Sequence, residues 1–283
     1  MNLSPGIVND CVKIVSLYFG EPLNSIPIES SQLYRCKNIN YSLYFLKYIN
    51  VIDKDGWNNI ISLEDKKDIY IDILKLYVLK RNILRKRIKY GLVDLIDNSL
   101  SSNEKACFRD AGLLDYYKDK VVLWWYALSD STDENEMKRI TTGYFGEKWS
   151  IQYESTRLNI NKKRITHTSL YTSNAGFDIL SYNNNEEKIN KPIEVKTISD
   201  TESPFIYITE NEYNKSGKLD NYVFHIWVID KLKNIHNLYI FKRADFIDDW
   251  PIVQGEGALT GSIKINMKSR LKKLNPIFSS ENS

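Results

Sequence analysis

Gly176-Phe177-Asp178-Ile179-Leu180, followed after an asparagine-rich interval by Pro192-Ile193-Glu194-Val195-Lys196, decides how this chain is read. Side chains alternate across a strand, so in the first stretch Phe177 and Ile179 take one face and Asp178 the other. In the second, Glu194 and Lys196 share a face and Val195 points into the core. The interval Asn183-Asn184-Asn185-Glu186-Glu187 reads as a hairpin loop, and a hairpin there brings Asp178 beside Glu194 and Lys196. Two adjacent carboxylates repel unless a cation separates them. A hard divalent ion such as Mg²⁺ uses only one or two carboxylates, with water and substrate phosphate completing its shell. Lys196 could then orient or deprotonate an attacking water, or offset charge developing on a phosphate. The bare pattern has a plainer reading as well: two strands with polar outer faces and a cross-strand acid–lysine pair.

Upstream, the spacing predicts a helix over residues 143–158. Glu147, Ile151, Glu154 and Leu158 fall on one face of it, so two acids share a half-apolar stripe. They could face inward toward the Asp178 region. Equally, Glu147 could complement the helix dipole while Glu154 pairs with Arg157 or Lys148. Downstream, strands are expected over 205–208, 222–229 and 238–241. Thr209 with Glu212 three residues on signals a helix start. The order helix, strand, turn, strand, strand, helix, strand describes an α/β or α+β layer around a mixed central sheet.

Four ordered pieces carry a family resemblance: Gly146-Glu147 with Glu154; Gly176-Phe177-Asp178-Ile179; Ile193-Glu194-Val195-Lys196-Thr197; and residues 205–213 leading into Tyr222-Val223-Phe224. Together, residues 143 to about 229 resemble the NO VEIN carboxyl-terminal domain (DUF3883), within the PD-(D/E)xK nuclease superfamily. Phe177-Asp178 stands where that superfamily's name has Pro-Asp. The resemblance implies a restriction-endonuclease-like α/β domain over 137–275. It implies a Mg²⁺-dependent endonuclease, with Mn²⁺ able to substitute. By it, Asp178 and Glu194 bind the metal, Lys196 serves catalysis, Glu147 is the helix-borne acid, Glu154 supports them, and Glu212 matches a family acid of unclear role, a support that could be only a cap or a positioner. It further implies DNA as partner (with RNA an open alternative), a restriction-type or mobile-DNA defence system, and a homodimer or partner subunits. A nuclease fold that binds nucleic acid or protein without cutting is the rival expectation.

The first 130 residues lie outside that resemblance and read as a mainly helical recognition or docking domain, making the whole chain α+β. Residues 7–18 have helical spacing. Residues 44–52, the turn Asp53-Lys54-Asp55-Gly56 and the return over 57–61 match a helix followed by a small hairpin, as in a winged helix. Residues 64–90 read as one long helix with Ile69, Ile73, Leu76 and Ile83 inward. On it Arg81, Arg85 and Lys89 would line one face, either to contact phosphates or as a solvated surface. Val121 to Ala127 is apolar enough to be buried, Trp124 and Trp125 included, and the polar, acidic run over 129–136 reads as the domain boundary.

Composition narrows the rest. With 283 residues and 42% hydrophobic content, the chain suits two modest domains. A net charge of +3 announces no global basic field. Cys11, Cys36 and Cys107 form neither metal-ligand spacing nor a disulfide framework, which fits a reducing cytoplasm. His167, His225 and His236 are isolated, and His225 reads as a packed core residue. Gly255 to Gly261 lacks the Gly-Lys-Ser/Thr ending of a phosphate loop and reads as a surface loop. Lys268, Arg270, Lys272 and Lys273 form a basic segment near the end. No leader and no bilayer-spanning stretch is expected.

Overall fold

Ser4 accepts the Ile7 N–H and Pro5 occupies the first helical position, starting helix α1 (Pro5–Tyr18). The computed structural model describes residues 3–26, 39–129, 133–184, 186, 188–199, 201–230, 235–249 and 262–281. Cys36, Asp130 to Thr132, Asn185, Glu187 and the glycine-rich run 255–261 lie outside the described residues. The chain divides into two compact units, Met1–Thr132 and Asp133–Ser283.

Helices make up most of the first unit's described residues, joined by turns and irregular segments. After α1 come α2 (Ile39–Tyr48), α3 (Lys66–Lys80), α4 (Asn82–Ile88), α5 (Leu92–Ser99), α6 (Ser102–Asp110) and α7 (Asp119–Tyr126). Phe45, Tyr77, Phe108 and Trp125 are its largest buried side chains. The hairpin expected after α2 shrinks to a single bridge, Ile52 with Trp57. Ile60 on the returning segment is exposed, so that segment has no continuous apolar face to bury.

The long helix expected over 64–90 is broken at Arg81 (φ −98°, ψ 79°), which ends α3 and precedes α4. The cause lies in another helix. Glu104, buried within the capping box that starts α6, needs partners for its carboxylate. Tyr77 donates to it, and Arg81 reaches it at 3.0 Å. Ile83 consequently turns outward instead of joining the stripe. Arg81 and Lys89 cap α4 at its two ends with Arg85 between them, so the three still follow one helix, but Arg81 is drawn to Glu104 and Arg85 donates to the Leu128 carbonyl.

In the second unit α8 (Glu134–Leu158) begins well before Gly143, because Asp133 caps it by accepting the Asn135 N–H and Glu134 and Glu136 complement its first turn. Part of the acidic run read as a boundary is thus the helix start. There follow β1 (Thr166–His167), β2 (Ile179–Tyr182), β3 (Asn190–Ile198), β4 (Phe205–Thr209), α9 (Glu210–Lys218), β5 (Val223–Asp230), β6 (Ile235–Phe241), β7 (Ser262–Asn266), α10 (Lys268–Lys273) and β8 (Phe278–Glu281). Among the described residues six strands form a mixed sheet in the order β1-β2-β3-β5-β6-β8, and β4 pairs with β7. Among the described strands only β3 and β5 are parallel neighbours. A parallel pair needs a crossover, which β4 and α9 supply. Ile193, Val195, Val223 and Trp227 form one face with Ile151 of α8. Ile198, Phe224 and Ile226 form the other with Ile206, Ile208 and Met267. No described helix is long and apolar enough to cross a membrane.

Helix α8 lies close on β3 at Gly146. A Cβ there would stand 2.2 Å from Thr197 Oγ1 and 3.4 Å from Val195 Cγ1. Alanine normally gains about 1 kcal/mol over glycine inside a helix. Here overpacking against a sheet strand costs about 1–3 kcal/mol, so Gly146→Ala should be net destabilising. Chemical denaturation checks the sign, and Gly146→Ala/Thr197→Ala should recover much of the loss. A single mutant as stable as the parent would rule out the close approach.

Candidate active site

Asp178 sits in the bend that leads into β2. Its N–H donates to the Ile193 carbonyl at 2.9 Å, and its carbonyl accepts the Ser169 N–H at 3.1 Å. Its side chain accepts the Val195 N–H at 2.8 Å. Asp178 is thus tied to β3 through backbone and side chain together. Because residues 176–178 form a bend, strand alternation does not yet hold there. Phe177 packs with the Ile198 and Phe224 cluster, while Ile179 packs on the α8 face. The expectation that Phe177 and Ile179 share a face fails for this reason. Gly176 makes the bend at φ +73°, where a Cβ would meet Lys215 Cγ at 2.6 Å. Its carbonyl accepts the buried Tyr222 hydroxyl at 2.7 Å.

On β3 the alternation does hold. Glu194 and Lys196 fall on the face opposite Val195, and Lys196 Nζ donates to Glu194 Oε1 at 2.7 Å. The same ammonium lies 3.0 Å from Glu212 Oε2. Glu212 also closes the capping box of α9, accepting the Thr209 N–H at 2.9 Å. Helix start and charged cluster therefore share one carboxylate. Glu147 approaches from α8, where Ser169 Oγ donates to its Oε2 at 2.6 Å and His167 Nε2 pairs with the same oxygen. The His167 ring stacks on Tyr144. His167, isolated in sequence, reaches Glu147 because β1 pairs with β2. Spacing carried no signal of it, nor of Ser169 or Tyr222.

Electrostatics follow from this crowding. Burial, reinforced by the Glu147 charge, pushes the Asp178 carboxyl well above the usual carboxylate range, against the pull of Lys196 and the Val195 N–H. Burial and the Asp178 charge do the same to Glu194. For Lys196 burial disfavours the ammonium, but the charges of Glu194, Glu212 and Asp178 outweigh it and hold its pKa above the ordinary lysine value. Asp178, Glu194 and Glu212 face one half-buried ammonium, and the charge of Glu147 bears on Asp178, so carboxyl groups outnumber the ammonium they surround. Asp178 and Glu194 offer hard oxygen donors to a divalent cation. Among the described residues no three His, Cys, Asp or Glu side chains gather as a ready-made metal cage.

Glu154 stands apart from this cluster. Its carboxylate is fully buried against Arg157, Lys191 and Ser181 at 2.6, 2.9 and 2.7 Å. It fastens α8 to β2 and β3. His225 lies 3.8 Å from Glu154, buried in the sheet, and burial pushes its pKa down to about 3, so it is a neutral core residue. Arg81, Arg85 and Lys89 belong to the other unit.

Fold and site together define a mixed-sheet α+β domain that gathers acids and a lysine where β2 and β3 meet, with α8 on one face and the β4–α9 crossover on the other. Residues 146–240 match the family model described as Protein NO VEIN, C-terminal. That part of the chain, from within α8 to β6, is similar to the NO VEIN C-terminal domain. Neither the curated proteins nor the solved structures give a match to the chain.

Proposed function

We propose that the carboxyl-terminal unit is a metal-dependent phosphodiesterase that hydrolyses nucleic acid. The observation that carries this is the half-buried Lys196 ammonium, held between Glu194 and Glu212 beside an Asp178 that is pinned to the Val195 N–H. Asp178 and Glu194 would hold Mg²⁺, or Mn²⁺ in its place. When bound, such an ion polarises a phosphodiester and lowers the pKa of its water. With two carboxylates accepting from it, Lys196 serves as a donor that stabilises charge developing on the phosphate. Glu212 aims that ammonium from α9. Glu147, braced by Ser169 and His167, forms the acidic wall beside Asp178. DNA as substrate and a restriction-type defence setting follow from the resemblance to PD-(D/E)xK nucleases.

The test pairs cleavage with binding. Purified chain and Mg²⁺ should cut labelled DNA, and chelator or Asp178→Asn should stop it. Calorimetry should detect Mn²⁺ binding to the parent and not to Asp178→Ala. If Mn²⁺ binds and nothing is cut, the fold is retained as a binding module. If neither occurs, the proposal falls entirely.

A further inference from the structure

Between Ile73 and Val93 the chain carries Lys75, Lys80, Arg81, Arg85, Lys86, Arg87 and Lys89 and no acid. Since the whole chain is only +3, everything outside this segment is net acidic. Positive charge is therefore concentrated on the end of α3 and on α4. Within it the arginines are engaged by the fold. Arg81 pairs with Glu104, Arg85 donates to Leu128, and Arg87 donates to Ser99 Oγ. Lys80 and Lys86 are exposed.

Helix α4 buries Leu84 and Ile88 and turns its other side to solvent. On that side Ile83 is 70% exposed and Tyr90 65% exposed. Lys86 lies between them at helical spacing, and the Tyr90 N–H extends the last turn by donating to the Arg87 carbonyl at 2.9 Å. Other large apolar side chains are exposed elsewhere, but here Ile83 and Tyr90 flank an exposed lysine within a segment that carries no acid. A partner that satisfies all of them must present closely spaced anions together with flat apolar surfaces.

We infer that the open side of α4, with Ile83, Lys86 and Tyr90, together with the exposed Lys80 at the adjoining end of α3, forms a binding surface for single-stranded nucleic acid. Its phosphates meet Lys80 and Lys86, and an unstacked base lies on the Tyr90 ring, with Ile83 packing beside it. A duplex offers the phosphates but keeps its base faces stacked inside. An anionic bilayer offers charge and apolar depth, but α4 commits Leu84 and Ile88 to the fold and leaves Ile83 and Tyr90, a small apolar area for membrane binding that scales with the area buried. This surface does not depend on the carboxyl-terminal unit being a nuclease.

The full chain, in EDTA so that no cleavage occurs, is titrated into fluorescein-labelled oligo(dT) and oligo(U), each longer than a site of about 16 nucleotides. Lys80→Ala/Lys86→Ala should weaken binding and flatten the slope of log Kobs against log salt by about 1.4, for two lost phosphate contacts. Tyr90→Ala should weaken binding about tenfold, while Tyr90→Phe retains it. These side chains are exposed, so melting curves should match the parent. Lys66→Ala/Lys67→Ala, exposed cations at the opposite end of α3, should bind like the parent, which separates this surface from a general loss of positive charge. The inference is overturned if the variants bind like the parent, or if the parent binds neither oligonucleotide. It is equally overturned if a duplex competes as well as a single strand and Tyr90→Ala has no effect. Vesicles of phosphatidylserine that bind through the same side chains, where oligonucleotides do not, would also overturn it.

Discussion

Glu154→Ala is expected to lower the stability of the carboxyl-terminal unit by roughly 3–5 kcal/mol, the usual result of removing one partner from a buried ion pair. The carboxylate has no exposed surface, and Arg157, Lys191 and Ser181 all spend donors on it. Alanine would strand the Lys191 ammonium in the interior, where burial already holds its pKa below the ordinary lysine value. Because the chain has two units, a whole-chain transition is the wrong measurement. Hydrogen exchange of the β3 amides reads the affected unit directly. Glu154→Leu combined with Lys191→Met should recover much of the loss, since a packed apolar pair can replace a buried ionic one. A single mutant as protected as the parent would mean that the cluster contributes nothing to the fold.

The same carboxylate sets a pH dependence. Burial works to raise the Glu154 pKa, but hydrogen bonds from Arg157 and the charges of Lys191 and His225 outweigh it, holding it at about 2 against an ordinary 4.5. The folded state therefore releases this proton more readily than the unfolded chain. Its stabilisation is complete above pH 4.5 and is lost as pH falls toward 2. Taken alone the difference amounts to about 3 kcal/mol. The net is smaller, because the buried Lys191 ammonium opposes it. Acid titration of β3 protection should show this loss in the parent and a flatter profile in Glu154→Gln.

What could be read from the sequence was whatever depends on local repetition. Alternation along 192–198 placed Glu194 and Lys196 on one face, and the structure agrees. Thr209 and Glu212 marked a capping box that forms as spaced. Contacts set by tertiary structure were not legible. Arg81 breaks a helix because Glu104, far along the chain, is buried beside it. His167 meets Glu147 through a strand of two residues, too short for any periodicity to show. Phe177 departs from the face of Ile179 because Gly176 turns the chain before the strand begins. Gly143 hid the early start of α8, since a glycine inside a helical pattern reads as an end and its cap, Asp133, lay in a run that looked like a linker. β7 and β8 are short, and their pairing depends on partners far away in sequence.

Lys196→Ala is the variant that separates catalysis from metal binding. Loss of a positioned proton or charge donor typically reduces turnover about 10²–10⁴-fold, and that fall is expected in Mg²⁺-dependent cleavage. Mn²⁺ affinity should hold or rise, because the ammonium 2.7 Å from Glu194 Oε1 competes with any cation for that oxygen. Asp178→Ala should do the reverse and lose the metal with the activity. Arginine should rescue poorly, since a planar fork cannot stand in for a compact ammonium held between Glu194 and Glu212. Without metal, the alanine variant leaves Asp178, Glu194 and Glu212 together with no counter-charge. Its carboxyl-terminal unit should then be less protected in hydrogen exchange than the parent, and adding Mg²⁺ should restore protection by favouring the state that binds it. If Lys196→Ala instead loses Mn²⁺ binding and activity together, Lys196 is a structural counter-ion and the catalytic assignment fails. If the variant cuts at the parent rate, charge on the phosphate is stabilised elsewhere, and β3 contributes only Glu194 to the chemistry.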